Sequence, residues 1–360
     1  MKSCGSSTNW KVNRREFHIS HLTRFDKKRV IQMNTKIVYV ITSSLNDIYW
    51  EEGWVSVWSA RYHNPEAHIT LVCDRETSDT AQGSYRAKSL DLFDEKITVD
   101  FEDGITKKQR SRWIKTNLRE YVKGDFLYID TDTVITDKLD EIDDWDIDIG
   151  MVRDGHRSHK QTLEAVHRYE KAYQQALPIA EPYYNGGVIF AKDNERVRSF
   201  YHQWHQNWLK LEEKVDYTDQ TPLARTNMEL GYPISEISGN YNCQISVSIR
   251  YLSIAKIIHF YHVWWNNFSI ISPFMDQNTY MRVKDNHGID EDMQKMIINC
   301  KTEFEVTSVP INDDLFTFLS STTIRFILLP LFVKKRSFYL HVDKFVHSLC
   351  RVLYRLHIRI

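Results

Sequence analysis

The sequence is poor in the features that would staple or anchor a chain. Its five cysteines, Cys4, Cys73, Cys243, Cys300 and Cys350, are widely scattered, odd in number and without CxxC spacing. That excludes a zinc knuckle and a disulfide framework and points to a reducing compartment. No run reaches the ~18 apolar residues of a membrane span. The N-terminus is basic but lacks the apolar core of a secretory signal. The expectation is a cytoplasmic protein, peripheral on the inner face of the membrane. Internal repeats and low-complexity tracts are missing, and no nucleic-acid module accompanies the charge, so nucleic acid is not an expected partner.

What is present is ordinary globular material: 360 residues, 42% hydrophobic, 26% charged and 13% aromatic, enough for one large α/β domain with an appendage. The formal net charge of -1 hides an asymmetry. Residues 1–33 carry Lys2, Lys11, Arg14, Arg15, Arg24, Lys27, Lys28 and Arg29 against Glu16 and Asp26. The last forty residues carry Arg325, Lys334, Lys335, Arg336, Lys344, Arg351, Arg355 and Arg359 against Asp343 alone. The middle of the chain is correspondingly acidic.

Hydrophobic patterning places ordered structure from Lys36 onward. Ile37 to Ile41 is a short β-branched run ending in the polar turn Thr42 to Asp47, residues 50–62 have apolar positions at helical spacing, and His68 to Cys73 is a second strand. The βαβ rhythm continues with a helix near 78–90, a strand at Ile97 to Val99, a helix near 107–122 and the strand Phe126 to Ile129. Further strands are expected at 147–151, 187–191 and 257–260, with helices near 160–176, 194–210 and 219–230. Alternating strands and helices predict a mostly parallel central sheet flanked by helices. Beyond about residue 270 the pattern loosens, and 321–360 interleaves apolar and basic residues at near-helical spacing, interrupted at Pro330. Such a stretch suits an anionic membrane surface, or a C-terminal helix packed on the domain with a solvated basic face.

In an open parallel sheet, ligands bind beyond the carboxyl ends of the strands. Asp130 stands at such an end, and Asp130 and Asp132, one residue apart, can both reach a hard divalent cation while Thr131 bonds elsewhere. A cation there would bridge a diphosphate and neutralise its charge as it leaves. Acidic residues also favour turns for purely local reasons. The same string, an apolar run followed by Asp-x-Asp, is similar to the first motif of haloacid-dehalogenase-type phosphatases, with Asp130 as nucleophile. About ninety residues of βαβ structure precede it here, which favours a transferase over that alternative.

Residues 36–265 resemble glycosyltransferase family eight, the glycogenin-like and lipopolysaccharide-galactosyltransferase-like enzymes with the GT-A fold. The segment VYVITSSLNDIYWEEGWVSVWSA is similar to the family's opening, in which an Asn-Asp-x-Tyr turn contacts the nucleotide, here Asn46, Asp47 and Tyr49, with Thr42 at the turn's start. SRWIKTNLREYVKGDFLYIDTDT matches in length and phase and puts Lys115 where the family has a basic residue facing the donor. Trp113 stands where a second basic residue is expected, with Arg112 beside it. Tyr184 to Phe190 resembles the Asn-x-Gly-Val segment that passes under the sugar, which makes Asn185 and Gly186 donor contacts together with Asp130 and Thr131. Asp219 and Gln220 match the Asp-Gln pair near the reacting sugar carbon, and His259 the strand-terminal His that joins Asp130 and Asp132 on the metal. A helix N-cap also explains Asp219. After His259 the family has Gly and then Lys-Pro-Trp, but this chain reads Phe260-Tyr261-His262-Val263-Trp264-Trp265, so the diphosphate-contacting lysine is missing.

The resemblance implies a GT-A domain over 34–270, between a basic tail at 1–33 and a C-terminal extension at 271–360. It implies Mn2+ (or Mg2+) as cofactor and a UDP-sugar as donor. The implied reaction moves a hexose to a glycan or lipid-linked acceptor in polysaccharide- or lipopolysaccharide-type biosynthesis, with retention of configuration. A degenerate domain that only binds glycan is the non-enzymatic alternative.

Overall fold

The computed structural model describes residues 33–157, 182–212, 219–261, 272–303, 321 and 323–355, and Met33–Ile360 forms one compact unit. Its centre is a seven-stranded sheet in the order β3-β2-β1-β4-β7-β6-β8. The strands are β1 (Lys36–Ile41), β2 (Ile69–Asp74), β3 (Glu95–Val99), β4 (Phe126–Ile129), β6 (Ile149–Arg153), β7 (Tyr184–Ala191) and β8 (Ile234–Glu236). The first four run parallel, β7 is antiparallel to both β4 and β6, and β8 is parallel to β6. β7 alone is reversed, so the sheet is mostly parallel, as the sequence predicts.

The central strands read as continuous apolar runs because both faces are covered. Along β1, Ile37, Tyr39 and Ile41 enter one core with Trp50, Trp54 and Val57 of α1 (Tyr49–His63), while Val38 and Val40 enter the other. That second core holds Ile114 of α3 (Lys107–Thr116), Leu118 of α4 (Leu118–Tyr121), and Phe200, Tyr201 and Trp204 of α5 (Glu195–Glu212). Each fully buried aliphatic side chain here contributes about 1.5–3 kcal/mol relative to exposure.

A second sheet, β5-β10-β9, is built from β5 (Thr133–Ile135), β9 (Cys243–Gln244) and β10 (Ile257–His259). β10 is antiparallel to β5 with His259 opposite Thr133, and parallel to β9. β5 and β9 are not foreseen in the sequence, since three and two residues are too short to show a period.

Two expected helices are broken in the structure. The helix near 78–90 is α2 (Arg75–Gln82), capped at Gly83, followed by a 3-10 turn at Tyr85–Leu92 whose Arg86 N–H donates to the Ser84 side chain. The helix near 107–122 divides at Asn117, which caps α3 and sends its side chain to His205, with Asn117 Nδ2 3.1 Å from Nε2. The expected helix at 160–176 lies outside the described residues. Beyond residue 270, α7 (Gln277–Asp285) and α8 (Glu291–Ile298) add Tyr280, Val283, Met293 and Ile297 to the core that α1 shares. Later come a short π-helical turn (Ile324–Leu328), α9 (Leu329–Lys334) and α10 (Arg336–Arg355). Among the described residues, no helix is long and apolar enough to cross a membrane.

Candidate active site

Asp130-Thr131-Asp132 is the link by which the chain leaves β4 in the large sheet and enters β5 in the small one. Backbone bonds fix this crossing. Asp130 N–H donates to Gly187 O at 2.8 Å, and Phe260 N–H donates to Asp132 O at 3.0 Å. The antiparallel register of β10 on β5 therefore delivers His259 beside Asp132, with Nε2 3.1 Å from Oδ1. One ligand atom each from Asp130, Asp132 and His259 lie within 4.8 Å of one another.

The imidazole is held from behind. Nδ1 is 3.0 Å from Asn242 Oδ1, so it carries the proton and leaves Nε2 to face the carboxylates. Asn242 Nδ2 donates to Asn185 Oδ1 at 2.8 Å. Asn185 Nδ2 donates to Asp154 Oδ1 at 3.1 Å and to the Tyr261 hydroxyl at 2.6 Å, and that hydroxyl donates to Gln244 Oε1 at 2.9 Å. Tyr261 also stacks on the imidazole with ring centroids 3.9 Å apart. Its φ of 55° is a left-handed conformation that an aromatic residue adopts only where its surroundings insist. Opposite, Gly187 has no Cβ because one would stand 2.3 Å from His259 Cε1. Two oxygens and one nitrogen, with the nitrogen's tautomer set, are a donor set that could hold a divalent cation.

Beside this group lies a buried charge network. Lys115, in the last turn of α3, places Nζ 3.2 Å from Asp130 Oδ1 and 2.9 Å from Asp219 Oδ2. Arg112, one turn earlier, has Nε 3.2 Å from Asp219 Oδ1. The Tyr128 hydroxyl donates to Asp130. Burial alone would discharge Lys115, but Asp130 and Asp219 hold its pKa above the ordinary lysine value. Burial works equally against the Asp219 carboxylate, yet Arg112 and Lys115 hold it well below the usual range. Asp219 precedes α6 (Gln220–Glu229) without making a side-chain cap bond, so the capping explanation fails and its carboxylate belongs to this network. Gln220 follows, accepting from Gly186 N–H at 3.2 Å and donating to Tyr184 O. A Cβ on Gly186 would be 3.7 Å from Lys115 Nζ, so Gly186, Gln220, Lys115, Asp219 and Asp130 line one small space.

The turn after β1 forms the far wall. Tyr49 heads α1, is 41% exposed, and has its pKa raised by burial and then by Glu52 and Asp47, with Arg112 and Asp132 also close enough to act. Thr131 packs its methyl towards Gly53 of α1. Asn46 is exposed. Thr42 Oγ1 donates to Lys107 O at 3.2 Å. Asp47 is saturated by its own turn and by α3: it accepts from Ser43 Oγ at 2.5 Å, Ser44 N–H at 3.0 Å and Lys107 Nζ at 2.7 Å. Asn185 is saturated too, since Gly187 N–H adds a second donor to its Oδ1 at 2.9 Å. Asp47 and Asn185, two of the side chains that the resemblance assigns to ligand contact, are thus also engaged in shaping the wall. Glu52, in the first turn of α1, is buried, and burial followed by Asp132, Asp47, Glu51 and Asp130 raises its pKa well above the carboxylate range.

Sequence reading missed Asn242, Tyr261, Asp154 and Lys107, which act only through tertiary contacts, and it underweighted Arg112, whose neighbour Trp113 packs instead against His205 and Trp208.

The family model "Glycosyl transferase family 8" matches residues 40–265. Solved structures similar to this chain include mouse xyloside xylosyltransferase 1 in its apo form (14% identity, 62% of this chain and 97% of that one, TM-score 0.42). They also include the glycosyltransferase GlyE of Streptococcus pneumoniae TIGR4 (15%, 76% and 66%, 0.43) and the galactosyltransferase LgtC with donor and acceptor sugar analogues (15%, 72% and 99%, 0.44). No curated protein matches the sequence. With the model spanning more than half of the chain, and Asp130, Asp132 and His259 gathered beside Lys115 and Asp219, the phosphatase and non-enzymatic alternatives fall: the chain belongs to glycosyl transferase family 8 and is a glycosyltransferase.

Proposed function

We propose that this enzyme moves a hexose from a UDP-sugar to a glycan or lipid-linked acceptor, as a metal-dependent, retaining transferase of polysaccharide- or lipopolysaccharide-type biosynthesis. The observation that carries this reading is the junction of the Asp130, Asp132 and His259 group with the Lys115–Asp219 pair at 2.9 Å. A divalent cation held by the first three residues would neutralise the diphosphate as it leaves. Tyr49 would stack on the base, with Asn46 and the Thr42–Asp47 turn around it. Lys115 pairs with both Asp130 and Asp219 and, with Arg112, holds the Asp219 carboxylate ionised beside the cation group. Asp219, anionic across the physiological range, is suited to stabilising positive charge on the sugar carbon rather than to moving a proton. The acceptor's proton then passes to the departing phosphate oxygen. Gln220 and Gly186 would position the sugar, and Arg112 stands where it can offset part of the missing lysine.

The α10 helix exposes Phe338, Phe345 and Val346 together with Lys344, and supports placing the enzyme on the anionic inner face of a membrane, where lipid-linked acceptors reside. The deciding assay for the chemistry is hydrolysis of UDP-glucose and UDP-galactose with Mn2+. Asp130→Ala is expected to lose at least 100-fold in rate, and full retention of activity would sink the metal assignment.

A further inference from the structure

The Ser43–Asp47 turn has neither glycine nor proline to fix its shape, yet it is gripped by three cations from three distant elements. Arg86, fully buried and held by Glu51 at 2.8 Å, donates to Ser43 Oγ at 3.1 Å and to Asp47 O at 3.4 Å. Lys107, at the head of α3, donates to Ser44 Oγ at 2.8 Å and to the Asp47 carboxylate. Lys284, in the last turn of α7, donates to Leu45 O at 2.5 Å and to Asp47 O at 3.2 Å. Of these, only Lys284 lies beyond residue 265, where the family match ends.

The C-terminal end of α7 is itself fastened to the wall of the site. The His287 ring stacks on Tyr85 with centroids 4.6 Å apart, and Lys88 Nζ donates to His287 O at 3.2 Å. Gly288 brings the backbone against Trp54 of α1, where an added Cβ would lie 3.8 Å from the indole. Lys284 thus reaches the turn from a fixed base.

We propose that Lys284 is a positioning residue for nucleotide binding, and that the α7–α8 pair is part of the donor site although it lies outside the family match. This rests on the reading that the turn meets the nucleotide. The carboxylate of Asp47 and the carbonyls of Leu45 and Asp47 are taken up from within and behind, which directs Asn46 and Tyr49 outward in one conformation. Without Lys284 the turn samples others, and the nucleotide must select the competent one, so the apparent Kd rises by the inverse of the competent fraction.

The test is titration calorimetry of UDP with Mn2+ on the full chain, with thermal unfolding alongside. Lys284→Met is expected to weaken UDP by about tenfold, the effect of a turn competent one-tenth of the time. Lys284→Arg, which keeps the donors, should recover most of the loss, and the melting temperature should move little because the contacts are half-exposed. A Lys284→Met protein that binds UDP as the native chain does overturns the proposal, including when its melting temperature falls, since that is a purely structural role. Failure of the native chain itself to bind UDP overturns the donor reading and the inference with it.

Discussion

At the scale of single residues, the site depends on what is absent at Gly187 and what is charged at Lys115. Gly187 is not needed for its backbone freedom; the space where its Cβ would be is filled by His259. Gly187→Ala should therefore cost about 1–3 kcal/mol of stability through overpacking, and should turn the imidazole away from Asp132. Mn2+ binding without donor, followed by electron paramagnetic resonance, is expected to weaken at least ~10-fold, the scale seen when a ligand's orientation is lost. Binding at native strength would show that the ring can adjust. Lys115→Met leaves Asp130 and Asp219 facing one another without the ammonium that lies between them. Donor hydrolysis should fall ~100-fold or more, and the depressed pKa of Asp219 should rise, moving the acidic limb of the pH–rate profile to higher pH. An unchanged profile would remove Lys115 from the charge balance of the site.

At the scale of elements, α5 is joined to the α3–α4 break by one histidine. Asn117 Nδ2 reaches His205 Nε2 at 3.1 Å, and Nδ1 lies 2.8 Å from Thr116 Oγ1, whose own proton goes to Arg112 O at 2.9 Å. The ring must be neutral to accept from Asn117, and burial pushes its pKa down to about 4. Unfolded, the same ring takes up a proton near pH 6.5. The unfolded chain then binds more protons between these values, so stability is complete above pH 6.5 and is lost as pH falls towards 4, by about 2–3 kcal/mol for this group. Denaturant unfolding of the native chain and of His205→Leu should differ in slope across that window, and parallel slopes would refute the linkage. This break also shows what the sequence does and does not reveal. The runs at Ile37–Ile41 and Phe126–Ile129, and the acid pair after the second, are legible because burial on both faces demands continuous apolar residues. The break at Asn117 is not, because it is decided by a partner 88 residues away. Nor is β9, whose two residues, with Asn242 just before them, bring Asn242 and Gln244 to the back of the Asp130, Asp132 and His259 group. Asp47 and Asn185 are recognisable by type, but only the fold shows that their hydrogen-bonding positions are already filled.

At the scale of the whole molecule, the charge asymmetry read from the sequence becomes a question of orientation. The catalytic unit is acidic around Asp130, Asp132 and Asp219, whereas the region from the π-helical turn through α10 combines exposed Lys334, Lys335, Arg336 and Lys344 with exposed Phe326, Phe338 and Phe345. Each cation near an anionic bilayer contributes about 1 kcal/mol, decaying over a Debye length of ~10 Å at 0.1 M salt, and each buried phenyl group adds more through the hydrophobic term. The two contributions separate experimentally. The full chain is expected to sediment with vesicles containing phosphatidylglycerol and not with phosphatidylcholine alone, and to be released as salt rises. Replacing the four basic residues by Gln should abolish sedimentation while leaving Mn2+-dependent donor hydrolysis intact, because none of them touches the site. Phe338→Ser with Phe345→Ser should weaken sedimentation at every salt concentration without changing its salt dependence. Binding that ignores both lipid charge and the basic residues would instead make this face a protein contact.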